Sequence, residues 1–243
     1  MSTYVMSDLH GEYDLYIKML EKISFSEADT LYILGDILDR GSGPIRIMLD
    51  VMQRHNVHVL AGNHCVMALE CLKFLMHEIT EVQIEKIEEE MYEKLLCWVQ
   101  NGGGSTILEF SKLNALQRTE IIDYIENLEL YAEVTVNDKN FILVHAGLRN
   151  FSEDKPMWEY ELDELVWTRP DYEIPYYNEK FVVSGHTPTA VIIGNPKPGY
   201  IFKMNNHIAI DCGACFKRGR LGCLRLEDMV EYYVENQEKN QGV

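Results

Sequence analysis

The chain has 243 residues, which is enough for one large globular domain and short for two. Hydrophobic residues make up 47% and charged residues 25%, as in ordinary globular proteins, and no apolar run approaches the roughly 20 residues that span a bilayer. The 39 acidic and 22 basic residues give a net charge of −17, which repels phosphate backbones and anionic lipids and argues against nucleic-acid or membrane binding as the main role.

The N-terminal part alternates between predicted strands and helices. Strands are predicted over 3–7, 30–34 and 57–61, where short apolar runs end beside polar residues or glycine. Helices are predicted over 13–23, from the spacing of Leu15, Met19 and Ile23, and from Pro44 to about Arg54. This β-α-β-α-β order predicts parallel pairing, with helices on the faces of a sheet.

The middle of the chain is predicted to be helical. The pattern is helical over 65–100, and the charge run over 81–94 indicates a solvated amphipathic helix. The segment Asn101-Gly-Gly-Gly104 predicts either a turn that cradles phosphate or a helix stop with a close backbone approach. A further helix is predicted over 117–130. Residues of about 65–130 are therefore expected to form a helical insertion that acts as a cap.

The C-terminal part is predicted to consist mainly of strands, over 132–136, 141–145, 181–184, 191–194, 207–211, 222–226 and 229–234. Asn137-Asp138 predicts a hairpin turn, 195–199 a loop, and 236–243 a polar tail. The fold class expected from these elements is α/β (α+β): a two-sheet β-sandwich flanked by helices, in a single domain over 1–235.

Six scattered cysteines, at positions 65, 71, 97, 212, 215 and 223, are expected to be reduced thiols. Cys212 and Cys215 form a C-x-x-C pair that lacks further zinc ligands, so they are expected to end a strand and fill a turn. The first eight residues become polar too early for a signal peptide. A cytoplasmic protein is expected.

Five short blocks carry metal-binding residue types, and most of them directly follow a predicted strand. They are Asp8-Leu9-His10-Gly11, Gly35-Asp36-Ile37-Leu38-Asp39-Arg40-Gly41, Gly62-Asn63-His64, Val144-His145-Ala146-Gly147 and Ser184-Gly185-His186-Thr187. Asp, Asn and His together suit metals such as Mn, Fe or Zn. A carboxylate bridges two cations, and two ions about 3.5–4 Å apart clamp a phosphate. The blocks predict metal-assisted hydrolysis.

These blocks resemble those of the metallophosphoesterases, and specifically of the phosphoprotein phosphatase family of serine/threonine phosphatases. That family's pattern is G-D-x-H-G, G-D-x-x-D-R-G, G-N-H-E, H-A-G or H-G-G, and G-H-T. The match runs from Asp8 to about Gly213 and is closest to the compact bacterial and phage branch. Segments 98–103 and 166–169 of this chain also resemble segments of that branch. The resemblance implies the calcineurin-like metallophosphoesterase fold.

The resemblance also implies roles for individual residues. Two divalent ions, expected to be Mn with Fe or Zn as alternatives, would be held by Asp8, His10, Asp36, Asn63, His145 and His186, with Asp36 bridging. A hydroxide that bridges the ions would attack phosphorus. His64 would protonate the leaving alkoxide, Asp39 would orient His64, and Arg40 and Arg169 would grip the phosphate oxygens.

The chain departs from the family pattern at two places. Ser7 stands where the first block usually begins with glycine, and Cys65 stands where glutamate often follows G-N-H. The serine keeps a small residue, so little effect is expected. Cys65 leads to the hypothesis that activity is sensitive to oxidation.

The leading functional prediction is a metal-dependent phosphoprotein phosphatase acting on phosphoserine and phosphothreonine, with a phosphorylated protein or peptide as its partner. One alternative is a symmetrical dinucleoside tetraphosphate hydrolase, whose family shares the five blocks. The other is a non-catalytic phosphoprotein-binding module, which the complete set of ligands, acid and arginines disfavours. The physiological substrate, the native metal and the oligomeric state do not follow from the sequence.

Overall fold

The computed structural model describes residues 1–76 and 89–237. Its strands are β1 (Thr3–Met6), β2 (Thr30–Ile33), β3 (Val57–Val59), β4 (Tyr131–Val136), β5 (Lys139–Val144), β6 (Lys180–Ser184), β7 (Phe202–Met204), β8 (His207–Ala209), β9 (Arg220–Arg225) and β10 (Glu231–Glu235). They form two five-stranded sheets, in the orders β10-β9-β1-β2-β3 and β4-β5-β6-β8-β7. The predicted two-sheet architecture is confirmed.

Helices flank the sheets. They are α1 (Tyr13–Lys22), α2 (Pro44–Met52), α3 (Asn63–Phe74), α4 (Glu89–Trp98), α5 (Gly104–Phe110), α6 (Ala115–Glu126) and α7 (Leu162–Val166), with a π-helical turn over Val99–Gly103 and 3₁₀ turns over Met157–Glu159 and Thr189–Val191. Pro44 opens α2, and an Asn114 capping box opens α6. No described helix is long and apolar enough to cross a membrane.

The strand pairing follows the predicted chain order. β1, β2 and β3 are parallel, as the β-α-β-α-β rhythm requires, and β9 and β10 add antiparallel strands. In the second sheet, β5, β6 and β8 are parallel. β4 and β5 form the predicted hairpin at Asn137 and Asp138, whose φ angles of 48° and 61° suit a tight two-residue turn.

Side chains alternate between two faces of each sheet, so the sandwich has separate layers of buried residues. In β1, Tyr4 and Met6 face the helices, while Val5 packs between the sheets. Phe141 and Leu143 of β5 meet Val5 in that middle layer. This period of two fixes the register, because a slip of one residue would exchange the two faces.

The described part of the predicted helical insertion packs into the core. Trp98, Phe110 and Ile121 belong to the same buried cluster as the inner faces of α1 and α2. Most of the predicted helix over 81–94 lies outside the described residues, which leave out 77–88. The described part of the insertion therefore forms a flank of the fold, and the action of the insertion as a cap stays a prediction.

Several local predictions were wrong. The predicted strand over 191–194 is a 3₁₀ turn followed by a loop, since Ile193 is 97% exposed and Gly194 has a φ of +81°. Strand β7 was not predicted; it is short and pairs with β8 through a turn at Asn205-Asn206. By contrast, the predicted helix stop at Asn101-Gly-Gly-Gly104 is present, because Gly102 has a φ of 108° and a ψ of 9° and kinks the chain before α5 begins.

A buried histidine of the second sheet, packed beside two tyrosine rings from the segment before β6, predicts acid sensitivity. His207 is 1% exposed, its Nε2 lies 2.9 Å from Ser184 Oγ, and the rings of Tyr172 and Tyr176 lie 4.6 and 5.1 Å from its own. Burial lowers the pKa of His207 to about 3. The unfolded chain, with a pKa of about 6.5, therefore takes up the proton first as pH falls.

The stabilisation from neutral His207 is present above pH 6.5 and is lost as pH falls toward 3. Between pH 7 and pH 5 we expect urea unfolding to show a loss of stability about 2 kcal/mol larger in the wild type than in His207→Gln. Comparing how the free energy of unfolding changes with pH in the two proteins removes any pH-independent effect of the substitution. Equal slopes would contradict the assignment of this acid sensitivity to His207.

Candidate active site

The predicted metal ligands meet at one edge of the two sheets. Asp8, Asp36 and Asn63 lie at the carboxyl ends of β1, β2 and β3, and His145 and His186 lie at the carboxyl ends of β5 and β6. Parallel strands bring their carboxyl ends to the same edge. The sandwich therefore brings together blocks that are separated by up to 178 residues, as in the hydrogen bond from the His186 N–H to Asp8 Oδ2 at 2.9 Å.

The backbone at this edge has an uncommon conformation. Asp8, His10, Asp36 and His186 have φ angles of 53°, 41°, 49° and 61°, a region that non-glycine residues rarely adopt. Residues held this way concentrate at functional sites. Gly35 has a φ of +81°, and a Cβ there would lie 2.7 Å from both Gly62 Cα and His145 Nδ1, so only glycine allows the blocks to approach this closely.

The first group of ligands surrounds His10. Its Nε2 lies 3.9 Å from Asp8 Oδ1 and 3.7 Å from Asp36 Oδ2. Its Nδ1 lies 3.1 Å from the carbonyl oxygen of Leu38 and is placed to donate to it. That hydrogen bond assigns the proton to Nδ1 and leaves the Nε2 lone pair facing the two carboxylates, as a metal ligand requires.

The second group surrounds Asn63. Its Oδ1 lies 2.9 Å from both His145 Nε2 and His186 Nδ1, and His145 Nε2 lies 3.5 Å from Asp36 Oδ2. His145 Nδ1 lies 2.6 Å from the carbonyl oxygen of Leu34, which again turns the other ring nitrogen toward the site. The carboxylate of Asp36 belongs to both groups, which is the arrangement that a bridging ligand needs.

The charges of the site suit bound cations. Burial, together with the carboxylate of Asp36, raises the pKa of Asp8 to about 8. Burial also acts to raise the pKa of Asp36, but the neighbouring histidines, His145 first, outweigh burial and hold it below its usual range. Burial lowers the pKa values of His10 and His186 to about 3, so both rings are neutral. Buried carboxylates and neutral imidazoles are the forms that bind divalent metals, so the donor set fits the two predicted ions.

His64 is held from one side by a buried carboxylate. Its Nδ1 lies 2.6 Å from Asp39 Oδ2, and that carboxylate also accepts hydrogen bonds from Trp98 Nε1 at 2.9 Å and from Thr106 Oγ1 at 2.6 Å. All four side chains are almost fully buried. The opposite ring nitrogen, Nε2, lies 4.0 Å from Asp36 Oδ2. The predicted pairing of His64 with Asp39 is present and points Nε2 toward the ligands.

Both predicted arginines line the same cavity, which has a volume of about 250 Å³. Arg40 lies with Nη2 3.1 Å from His64 Nε2, and its backbone N–H donates to the Gly102 carbonyl at 3.0 Å. A Cβ on Gly102 would lie 2.6 Å from Arg40 Cγ, so the glycine segment makes a close backbone approach. Arg169 donates from Nη1 to Thr187 Oγ1 at 3.4 Å.

Sequence reasoning missed one acidic residue that lines this cavity and two residues that support Asp39 behind it. Asp211 lines it, is 4% exposed and accepts a hydrogen bond from the Gly213 N–H at 2.8 Å. Burial, followed by the charges of Asp8 and Asp36, raises the pKa of Asp211 well above its ordinary value. Its position at the end of a predicted strand, two residues before Gly213, is close to the signal that identified the five blocks. Trp98 and Thr106 carried no such signal.

The two departures from the family pattern have different consequences. Ser7 donates a hydrogen bond from Oγ to Asp8, so its hydroxyl supports a predicted ligand. Cys65 is 1% exposed, and burial raises the pKa of its thiol to about 12. Burial and a raised pKa both disfavour the thiolate, which is the reactive form, and the sensitivity of activity to oxidation at Cys65 stays a prediction. Cys212 and Cys215 are buried, and neither forms a disulfide within the described residues.

The hydroxyl of Thr106 predicts a measurable role in orienting His64. Thr106→Val keeps the shape of the side chain and removes two hydrogen bonds, the one donated to Asp39 Oδ1 and the one accepted from the Asp39 N–H. We expect kcat to fall about tenfold with metal binding unchanged, the lower end of the range for groups that support a functional side chain through hydrogen bonds. Steady-state kinetics well below the melting temperature will measure this. Thr119→Val, at an exposed position on α6, is the matched control, and an equal effect in both variants would contradict the role.

The family model described as calcineurin-like phosphoesterase matches residues 1–190. The asymmetrical bis(5′-nucleosyl)-tetraphosphatase PrpE of Bacillus velezensis is 23% identical over 264 residues, covering 90% of this chain and 96% of that protein.

Two solved structures illustrate the range of similar folds. A putative diadenosine tetraphosphatase matches with a TM-score of 0.65 and 17% identity, covering 96% of this chain and 92% of that one. A protein serine/threonine phosphatase from Saccharomyces cerevisiae matches with a TM-score of 0.53 and 15% identity, covering 97% and 79%. At these identities the likeness shows the fold alone.

Proposed function

The chain belongs to the calcineurin-like phosphoesterase family, and on that basis we propose that it is a metal-dependent phosphatase for phosphoserine and phosphothreonine monoesters in proteins. Membership of the family makes it a metallophosphoesterase, a hydrolase of phosphate esters or anhydrides. The choice of phosphoprotein monoesters within that class is supported by the acid–carboxylate pair beside the ligands, and by the charge of the chain.

The observation that carries the proposal is the pairing of His64 with Asp39. A serine or threonine alkoxide is a poor leaving group, because its conjugate acid is about as weak as water, with a pKa near 15.7. A nucleotide phosphate, with a second pKa of about 6, leaves without a proton. The Nδ1 of His64 lies 2.6 Å from a carboxylate, and its Nε2 points toward the cavity. A histidine placed in this way can act as a general acid, which a poor leaving group needs most.

The remaining residues divide into ligands and phosphate contacts. Two divalent ions, proposed to be Mn, would be held by Asp8, His10 and Asp36 and by Asp36, Asn63, His145 and His186; when bound they supply Lewis acidity and lower the pKa of water. Arg40 and Arg169 line the same cavity and bind phosphate oxygens through their guanidinium groups. When Arg40 turns to phosphate, His64 Nε2 loses its arginine neighbour and is free to carry the proton that the leaving oxygen takes.

The net charge of −17 supports the same choice of substrate. A polypeptide carries one phosphate among residues that can be basic, whereas a dinucleoside tetraphosphate brings a chain of four anionic phosphates toward an acidic surface. We further propose a cytoplasmic location, which the six reduced cysteines support.

Dinucleoside tetraphosphate hydrolysis is the second candidate. The Bacillus velezensis relative is named for that activity. In this chain the rings of Trp167 and Phe216 line the cavity and are 42% and 48% exposed, and exposed aromatic rings stack on nucleobases. These rings are the specific observation that favours a nucleotide.

One assay separates the candidates. Enzyme supplied with Mn²⁺ is given p-nitrophenyl phosphate, a phosphothreonine peptide and diadenosine tetraphosphate at equal concentrations, with chelator-treated enzyme as the control. We expect phosphate release from the first two at a kcat/KM well above that for the nucleotide. Nucleotide products alone would contradict the proposal in favour of the second candidate. Binding of the phosphopeptide with no turnover of any substrate would instead support a phosphoprotein-binding module.

A further inference from the structure

A second cavity opens beside the catalytic cavity. Its volume is about 430 Å³, within the range of about 300–1,000 Å³ that is common for binding pockets. We call it the flanking groove and define it by residues 170–173, Thr187, 191–193 and Met204. Thr187 lines the flanking groove and accepts a hydrogen bond at 3.4 Å from Arg169, which lines the catalytic cavity. The flanking groove therefore adjoins the place proposed for phosphate.

The floor of the flanking groove is fixed, and its rim is apolar and exposed. Tyr172 and Ile192 are buried together with Phe202 in one small cluster. On the rim, Val191 is 67% and Ile193 is 97% exposed. Apolar side chains that are exposed together along one cavity indicate a binding surface, whereas single exposed apolar side chains scattered over a protein do not.

The backbone of the flanking groove is tied down. Asn205 Nδ2 donates to the carbonyl oxygens of Tyr172 and Glu173 at 2.9 and 3.0 Å. Asp171 Oδ1 accepts a hydrogen bond from the Glu173 N–H at 3.0 Å. These contacts hold the loop against the turn between β7 and β8, so the flanking groove is formed before any ligand arrives, and binding there orders little of the protein.

The wall of the flanking groove carries two negative charges. Asp171 and Glu173 both line it, and within residues 1–76 and 89–237 no basic side chain forms an ion pair with either carboxylate. An acidic wall attracts a lysine or arginine and repels a phosphate chain.

We infer that the flanking groove binds the polypeptide next to the phosphorylated residue, and that it takes one large apolar side chain and one lysine or arginine. The inference rests on the proposed phosphoprotein phosphatase activity and adds a sequence preference to it. Its support is the hydrogen bond from Arg169 to Thr187 that joins the two cavities, the apolar rim, and the acidic wall that has no ion pair within the described residues. A nucleobase would find the same apolar rim, but its phosphates would lie beside Asp171 and Glu173, so the polypeptide is the better match.

The test uses the whole chain with Mn²⁺ and a matched set of phosphothreonine peptides. One peptide carries leucine and arginine within three residues of the phosphothreonine, placed on the N-terminal side in one version and on the C-terminal side in another. The reference peptide carries alanine and glutamate at those positions. We expect one leucine–arginine version to be preferred about tenfold in kcat/KM, the effect of one well-placed apolar contact.

Variants of the flanking groove assign the preference to it. Ile193→Asp and the double change Asp171→Asn with Glu173→Gln are each expected to raise KM for the preferred peptide about five- to tenfold with kcat nearly unchanged, since the lost contacts bind ground and transition states alike. Activity on p-nitrophenyl phosphate, which has no flanking residues, should stay at the wild-type value. Leu116→Asp and Glu120→Gln, both exposed on α6, are the matched controls.

The outcomes separate the inference from the proposed function. If phosphopeptides are hydrolysed without preference, or if the preference survives both variants, the flanking groove is not the binding site although the phosphatase proposal stands. If the variants raise KM for diadenosine tetraphosphate instead, the groove takes a nucleotide and the inference is overturned. If no phosphopeptide is hydrolysed while the nucleotide is, the proposed function fails first.

Discussion

Replacing Asp36 by asparagine is expected to lower phosphate release from every substrate by about 10³-fold or more, which corresponds to roughly 4 kcal/mol of transition-state stabilisation. Asp36 is the carboxylate that the two ligand groups share, with Oδ2 3.7 Å from His10 Nε2 and 3.5 Å from His145 Nε2. Asparagine keeps the size of the side chain but removes the charge and one anionic oxygen, so a bridge between two cations is lost.

A second measurement on Asp36→Asn does not depend on turnover. Chelator-treated wild type should gain thermal stability when Mn²⁺ is added, by about 2.7 kcal/mol at a hundred times the dissociation constant. Asp36→Asn should gain much less at the same Mn²⁺ concentration. Asp138→Asn makes the same chemical change at the exposed tip of the β4–β5 hairpin and should behave as the wild type. A full Mn²⁺ response in Asp36→Asn would remove Asp36 from the bridging role.

Replacing His64 by asparagine is expected to separate substrates by their leaving groups. With a phosphothreonine peptide we expect kcat to fall by about 10²–10⁴-fold, the range of a general acid. With p-nitrophenyl phosphate the loss should be about tenfold or less, because p-nitrophenolate leaves without a proton. The ratio of the two losses is the quantity of interest, and steady-state kinetics on both substrates measure it.

The Mn²⁺ response distinguishes an acid from a ligand at His64. The ring lies close enough to His10 and Asp36 to join a group of potential ligands, while its Nδ1 is engaged by Asp39. If His64 is the acid, His64→Asn keeps the thermal shift with Mn²⁺. Loss of that shift, or equal kinetic losses on both substrates, would assign the residue to the metal instead. His58→Asn, at an exposed position on β3, is the control.

The two-sheet core could be predicted because its signal is local. Residues such as Tyr4, Val5 and Met6 alternate between two buried layers, and a short apolar run reveals a strand wherever a partner strand exists. The run over 191–194 has the same composition, but no described strand pairs with it, and Ile193 is exposed. Composition shows which segments favour an extended backbone, whereas pairing depends on the rest of the fold.

The candidate site could be predicted in part for a similar reason. Its ligands stand at strand ends beside glycine, so the chain order itself identifies them. The partners of Asp39 carry no such signal in the sequence, because Trp98 and Thr106 reach Asp39 from 59 and 67 residues away through helix packing. The flanking groove likewise depends on how the loop at Asp171 meets the turn at Asn205, a contact between segments with no shared motif.

The left-handed backbone at Asp8, His10, Asp36 and His186 has a consequence for protein engineering. Glycine adopts this conformation without strain, and at Asp8, whose pKa is raised by burial, the substitution also removes the energy of burying a carboxylate. A metal-free variant with Asp8→Gly is therefore expected to be harder to unfold and inactive. A selection for heat resistance alone will enrich dead enzymes, so libraries of this protein should be screened for turnover and heat resistance together.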